Sequence, residues 1–412
     1  MVWTRSLVSR ILICAIAAVA TVSVGQAATL YVGPGGTGTG TSPASPVGSL
    51  NAAYLKANAG DEILVLDGTY GAQTVAARAV ANSWASNVTI KPAPGANPIF
   101  TGSTQVSGAH VTVSGFTFDH FVAARGGSDY FVIEDSILRG GSSFNSSHTI
   151  IRDNQFIDGE NVDAVRIQGA SSIPGPSTDI LFENNFIKNY RSTDGVSHVD
   201  GIQIINSSNI TIRNNQISFD GNAAGILFTP TVGPVFNVLI ENNFMVHGAA
   251  GLNNGGRLLN LGDTSVHGIS LINNTLLGAV GMGKGALNNN VARNNIISRF
   301  TADAVSNQPI HDHNYIYGST FNITLSPTDV FAAGAMPSFA NVSNIDLHIT
   351  PANTVNLAFG STLGAPTTDF DGQLRTLPYW VGADQVLVPE PSTALLAASG
   401  LAAAVWAYRR KR

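Results

Sequence analysis

The 412-residue chain has one cysteine, Cys14, and it falls in an apolar N-terminal stretch. The body of the protein therefore has no disulfide and no thiol chemistry. Ile13 before it is bulky where a lipoprotein signal wants a small residue, so Cys14 is not expected to carry lipid. Charge is also scarce, at 11% of residues, with no charged run inside the body. A nucleic-acid surface needs a basic face with interleaved aromatics, and none is legible. The four His at 247, 267, 311 and 313 are scattered, and the His-x-His at 311–313 lacks a third ligand, which argues against a transition-metal centre there. By contrast Gly is abundant, at 43 residues, and Ser, Thr and Asn are plentiful. That mixture suits many short strands joined by tight turns rather than a helical protein.

One phrase recurs between Thr149 and Ser298: TIIRDNQFI at 149–157, DILFENNFI at 179–187, ITIRNNQIS at 210–218, VLIENNFMV at 238–246, SLINNTLLG at 270–278 and NVARNNIIS at 290–298. Each copy alternates apolar and polar residues and carries an Asn at one place: Asn154, Asn185, Asn215, Asn243, Asn274 and Asn295. A repeat of one short strand plus turns marks a solenoid whose neighbouring coils complete each other's core. β-Branched residues such as Ile150, Ile210, Ile212 and Val238 favour strand. The recurring Asn reads as an amide ladder at a strand corner, a scaffold device without catalytic weight.

The ends are of a different kind. Residues 1–27 read as a signal peptide: Arg5 and Arg10, an apolar run from Ile11 to Val24, and Gly25-Gln26-Ala27 at the cleavage site. At 388–412, Val388-Pro389-Glu390-Pro391 precedes an apolar run from Thr393 to Tyr408 and the basic tail Arg409-Arg410-Lys411-Arg412. This trio resembles the PEP-CTERM sorting signal of Gram-negative bacteria. The resemblance implies export, a transient transmembrane hold through this segment alone, processing by an exosortase-type enzyme, and release to the cell surface or exopolysaccharide matrix. Six of the 21 basic and one of the 26 acidic residues lie in these two ends, leaving fifteen basic against twenty-five acidic. So acidic a body repels polyanions on average, and an anionic glycan needs local Arg or a cation to bind.

The domain between, residues 28–387, opens with a strand and a Gly/Thr/Ser/Pro loop. The short helical stretch NAAYLKANAG and the buried strand EILVLDGTY follow. Gly-rich residues 33–40 lack the Lys-Ser/Thr and following helix of a phosphate loop. The pattern resembles the start of secreted parallel β-helix proteins, where the helix caps the open end of the solenoid. HDHNYIYGS at 311–319 is a candidate last coil, and DFDGQLRTLPYWVGADQ at 369–385 a closing strand and cap in which Asp371 and Arg375 form a structural pair. With crossovers of one sense the winding is right-handed. The expectation is an all-β, single-stranded right-handed parallel β-helix of nine to eleven coils, with a resemblance to the pectate-lyase-like superfamily across residues 29–385.

Aligned by coil, the strands after the Asn read DAVRI at 163–167, DGIQI at 200–204, AGILF at 224–228 and RLLNL at 257–261. This stacks Asp163, Asp200, Ala224 and Arg257 in one column and Arg166, Gln203, Leu227 and Asn260 in another. Adjacent coils lie about 4.8 Å apart, which brings the two Asp together. Three readings of that pair stand open: a Ca²⁺ site, a general acid facing a base, or turn caps. His198, two residues before Asp200 on the long loop from Asn189 to Val199, supplies an acid or base near neutral pH. The segment SHVDGIQI resembles a motif of β-helix carbohydrate enzymes. The catalytic candidates are thus His198, Asp200, Asp163 and Arg257; Arg166, Gln203, Tyr190, Arg191 and Asn260 are the substrate-binding candidates. Arginine is too basic to lose its proton readily, so a clamp on a sugar carboxylate is the safer role for Arg257. The function expected is action on extracellular polysaccharide, as a lyase of uronate sugars or, second, a glycoside hydrolase. The alternative is a non-catalytic glycan-binding or structural matrix protein.

Overall fold

The corner Asn explains how one coil turns into the next. A computed structural model describes residues 27–169, 176–219, 223–247, 257–261, 264–283 and 289–385. The expected signal peptide, except Ala27, and the sorting segment lie outside these. Before each ladder Asn stands a residue in the left-handed region: Asp153, Asn184, Asn214, Asn242, Asn273 and Asn294, with φ between 52° and 57°. Asn and Asp tolerate that conformation better than other side-chain-bearing residues, so the first residue of each Asp-Asn or Asn-Asn pair makes the bend and the second makes the ladder. The Oδ1 of Asn185 accepts from both the backbone N–H (3.1 Å) and the Nδ2 (3.1 Å) of Asn154. The same double contact repeats from Asn185 to Asn215, Asn243, Asn274 and Asn295. It also runs past the six repeats, through Asn314 to Asp329, and starts earlier, where Ser136 N–H donates to Asn154.

The coils stack into a right-handed parallel β-helix. One face is a parallel sheet of twelve strands among the described residues, from Thr29–Val32 to Ile310–Asp312, one more than the upper expectation. The opening strand joins it directly, pairing Thr29 with Glu62, and the candidate coil at 311–319 continues it. The other two faces meet in an eighteen-strand sheet. In the middle coils a corner separates them, as between Phe186–Lys188 and Ile202–Ile205. From Thr275–Gly281 onward one strand runs through that corner with a shift of register between Leu276 and Ala279. The ladder spacing falls with it, from 31 residues to 21 and then 19. Inward residues such as Ile151, Phe182, Ile212, Ile240 and Leu271 fill one continuous core.

The helix Leu50–Tyr54 covers the first coil. Ser49 caps its start by accepting from Ala52 N–H at 3.1 Å, and Arg78 Nη1 donates to the Tyr54 and Ala57 carbonyls at 2.6 and 2.8 Å. Leu50, Ala53 and Tyr54 are buried against the core. The far end differs from expectation. Residues 339–385 do not lie across the last coil but along the flank of the solenoid. There Ile345, Leu347, Ile349, Leu357, Val381 and Ala383 cover outward apolar residues of the solenoid, among them Phe244, Val246, Leu277, Ile296 and Tyr315. Left bare, those side chains would form an exposed apolar stripe. Asp371 and Arg375 do not pair: Arg375 Nη2 donates to Asn242 Oδ1 and to the Gly382 and Ala383 carbonyls, while Asp371 meets His348.

Candidate functional site

The two columns read by alignment are the columns of the structure: Arg166 pairs with Gln203, Gln203 with Leu227, Leu227 with Asn260, and Ala224 with Arg257. Asp163 and Asp200 are neighbours across one coil step. The Oδ1 of Asp163 accepts from Asp200 N–H at 2.9 Å, and the Oδ1 of Asp200 accepts from Ala224 N–H at 2.9 Å. The remaining oxygens face different partners. Asp163 Oδ2 accepts from Arg166 Nη2 at 2.6 Å, and Asp200 Oδ2 lies 3.1 Å from His198 Nδ1. Gly201 makes this close stacking feasible, because a Cβ there would sit 2.6 Å from the Gly225 carbonyl oxygen.

His198 and Asp200 differ sharply in exposure: the Asp200 side chain is 0% exposed and the His198 side chain 61%. Burial, with Asp163 adding, pushes the Asp200 carboxyl up to about 6, against lowering contacts from Ala224 N–H and His198. The carboxylate therefore holds the imidazole at Nδ1 and leaves its other nitrogen toward solvent. His198 projects into a cleft of about 260 Å³ whose lining includes Asp163, Arg166, Asn161, Ser142, Ser143 and Ser197. The loop that carries His198 is organised by Asp194, whose carboxylate accepts from the Val196 and Ser197 N–H groups and the Ser197 hydroxyl at 2.6–2.9 Å. Those bonds hold the Asp194 carboxyl well below the usual range. Asn161 ties the loop to the coil before, accepting from Thr193 N–H at 2.7 Å.

Other candidates lie elsewhere. Tyr190 is fully buried; its hydroxyl donates to the Leu138 and Gly140 carbonyls, and burial pushes the phenol up. It packs where Gly159 has no Cβ, a position that any side chain would bring within 2.0 Å of its ring. Tyr190 is thus a core residue and cannot touch a sugar. Arg191 is exposed but pairs with Glu160 and does not line the cleft. Gln203 sits beside Arg166, its amide 3.4 Å from Thr229 Oγ1. The strand of Arg257 lies three strands along from that of Arg166, about 14 Å at the usual strand spacing, and Arg257 is offset from the Arg166 column by a further three residues along the strand. It donates to Asn260 Oδ1 at 2.9 Å and lines a second cleft of about 370 Å³ with Arg299, Thr301 and Asp303. Asn161, Ser142, Ser143 and Arg299 were not singled out from sequence. For the serines the register was available, since SSF at 142–144 is the coil preceding VRI.

The Asp pair does not fit Ca²⁺. That ion needs six to eight oxygens, whereas all four oxygens of the pair already accept from N–H groups or face His198, and the Arg166 cation occupies the open side.

Comparison with solved structures agrees with this architecture. XylC, solved in complex with xylose, superposes with a TM-score of 0.51 at 12% identity, over 87% of this chain and 98% of that one. Pectate lyase Pel9A gives 0.49 at 14% identity, over 86% and 95%, and a rhamnogalacturonan lyase 0.41 at 13%, over 85% and 96%. At such identities the likeness speaks to fold alone. No curated protein matches the chain in sequence. The chain is a right-handed parallel β-helix protein. Its residues 387–411 match the PEP-CTERM protein-sorting motif, which marks it for export. Among the described residues no helix is long and apolar enough to cross a membrane.

Proposed function

We infer that the exported protein is a polysaccharide lyase acting on uronate-containing glycans at the cleft between the 142–144 and 202–205 strands. The observation that carries this reading is the His198–Asp200 pair: a buried carboxylate fixing an exposed imidazole, beside the half-exposed Arg166 guanidinium. In β-elimination a base takes the proton from C5 of a uronate, the C4–O bond breaks as the C4=C5 double bond forms, and the leaving oxygen is protonated. A cation on the sugar carboxylate stabilises the charge that develops next to C5. His198 has the exposure for the base, and Arg166, kept in place by Asp163, for the clamp. Arg257 and Asn260 would hold sugars further along the same face. A glycoside hydrolase is less well supported, because it needs two carboxyl groups facing the substrate and Asp200 is enclosed.

The test is incubation of the purified protein with acidic and neutral polysaccharides, following absorbance near the unsaturated-uronate band together with reducing ends. A rise in both that falls about 10²–10⁴-fold in His198→Ala, the usual contribution of a general base, supports the lyase. Reducing ends without absorbance mean hydrolysis. Glycan binding with neither signal means a matrix protein that presents this face without chemistry. Release by an exosortase-type enzyme would appear as loss of the segment after residue 387.

A further inference from the structure

We propose that the Arg257–Arg299 cleft is a second, remote subsite that grips two carboxylates of one acidic glycan chain and so selects long chains over short ones. The inference rests on the uronate-directed reading above and extends it to residues that reading leaves idle. Arg257 and Arg299 stand in one column with Ala279 between them. Two strand steps separate them, about 10 Å at the usual spacing. Elsewhere in the solenoid an outward Arg answers a carboxylate on an adjacent coil, as Arg152 does Glu134, Arg213 does Glu183 and Arg293 does Asp312. Arg299 is exposed and meets no carboxylate among the described residues, and Arg257 donates to the neutral Asn260 Oδ1. Asp303, the acid on the cleft wall, is engaged otherwise: it accepts from Ala304 N–H at 3.0 Å and from Asn307 Nδ2 at 3.3 Å. Two cations without a carboxylate, facing one cleft of an acidic body, make a local field that favours an anion.

The floor of this cleft is open where neither conformation nor packing requires it. The column that starts at Arg166 and Gln203 runs on through Asn260, Gly281 and Thr301 to Phe321, so one row of side chains joins the two clefts. Gly281 is paired on both sides, yet its backbone is outside the left-handed region. A Cβ there would meet the Leu259 carbonyl oxygen at 3.4 Å and Thr301 Oγ1 at 3.6 Å, which are ordinary contacts. Glycine in a paired strand weakens it, and often marks a place where a ligand approaches closely. Here the missing side chain leaves a trough between Asn260 and Thr301. Phe321, 59% exposed at the end of the row, offers an apolar surface for the C–H side of a sugar. An extended uronate chain of near-twofold symmetry turns every second carboxylate to the same side, at a repeat comparable to the Arg257–Arg299 spacing. The sugar between them then crosses Ala279 and Gly281.

Binding is measured in His198→Ala, where turnover does not interfere. The probes are size-fractionated oligogalacturonates and oligomannuronates, and the same chains after carboxyl reduction. Affinity is expected to rise at the length that reaches the second cleft. Arg299→Gln in that background should remove the rise, weakening long chains about 10–100-fold and short ones not at all. Gly281→Val fills the trough without altering charge, and should cost long chains affinity while the melting temperature stays at or above the parent's. With His198 intact, Arg299→Gln should raise KM for long chains and leave kcat unchanged, as a subsite remote from the chemistry requires. No gain with length, a gain that Arg299→Gln preserves, equal binding of carboxyl-reduced chains, or full displacement by inorganic phosphate at equal concentration would each overturn the proposal. The two readings fail separately. Length-dependent binding with no cleavage of any chain keeps the second subsite and sinks the lyase, whereas cleavage without length dependence does the reverse.

Discussion

At Asp200 enclosure weakens the fold while serving the site. A carboxyl raised to about 6 in the native state, against about 3.9 when unfolded, binds more protons folded than unfolded between those values. Its contribution to stability is therefore greatest below about pH 4, declines as pH rises to about 6, and is constant above. The ionised form is also the one that orients His198. Activity is expected to climb as pH passes about 6, in the same window where this part of the stability is lost. Asp200→Asn keeps an acceptor for Ala224 N–H but cannot ionise. Urea midpoints measured at pH 4.5 and 7 should differ less in that variant than in the parent. His198→Ala, by contrast, should leave the midpoint almost unchanged, because the ring is largely in solvent.

Strand corners and columns are the elements that carry this fold. Replacing Asn215 by Ala strips the acceptor from both the N–H and the Nδ2 of Asn185 and leaves the Phe182 and Arg213 carbonyls without their donor. A buried unpaired polar group costs about 1–3 kcal/mol, so a loss of about 2–4 kcal/mol in the denaturation midpoint is expected, far more than for an exposed Asn such as Asn209. Outside the corner a column alternates in sign: Glu134, Arg152, Glu183, Arg213 and Glu241. The Arg side chains, 43% and 41% exposed, keep these pairs open to solvent and each worth little alone. Arg213→Glu would nonetheless set three like charges on consecutive coils, and should lower the melting temperature more at low salt than at high. The ladder and strand register were legible because a period-two pattern and an Asn at a corner are local signals. The same register brought Asp163 to Asp200. Tyr190 misled because an aromatic on a polar loop looks exposed, and only the missing Cβ of Gly159, in the previous coil, opens the slot it fills. The split between the His198 cleft and the Arg257 cleft was hidden for a related reason: alignment gives the column but not the loops that wall it.

For the whole molecule the decisive feature is a second apolar layer on the outside. Its strands carry outward Phe244, Val246 and Leu277 in a phrase that reads, by itself, like any buried strand, so nothing local announced that the closing segment would dock there. Leu347→Asp places a charge in that layer. It should make residues 339–385 protease-sensitive and expose dye-binding surface while the far-UV β spectrum of the coils persists. Simultaneous loss of both would show that the layers unfold as one unit. The docking also sets where the chain leaves the molecule. Asn242, Asn273 and Asn294, on three successive coils, hold the segment through Thr368, Arg375, Trp380, Gly382 and Ser361. Residue 385, two positions before the sorting motif, is thus moored to the side of the solenoid. Any pull applied at residue 385 would be shared by three coils in shear instead of peeling the last coil from its end, as a boat tied along its beam shares the strain among its lines.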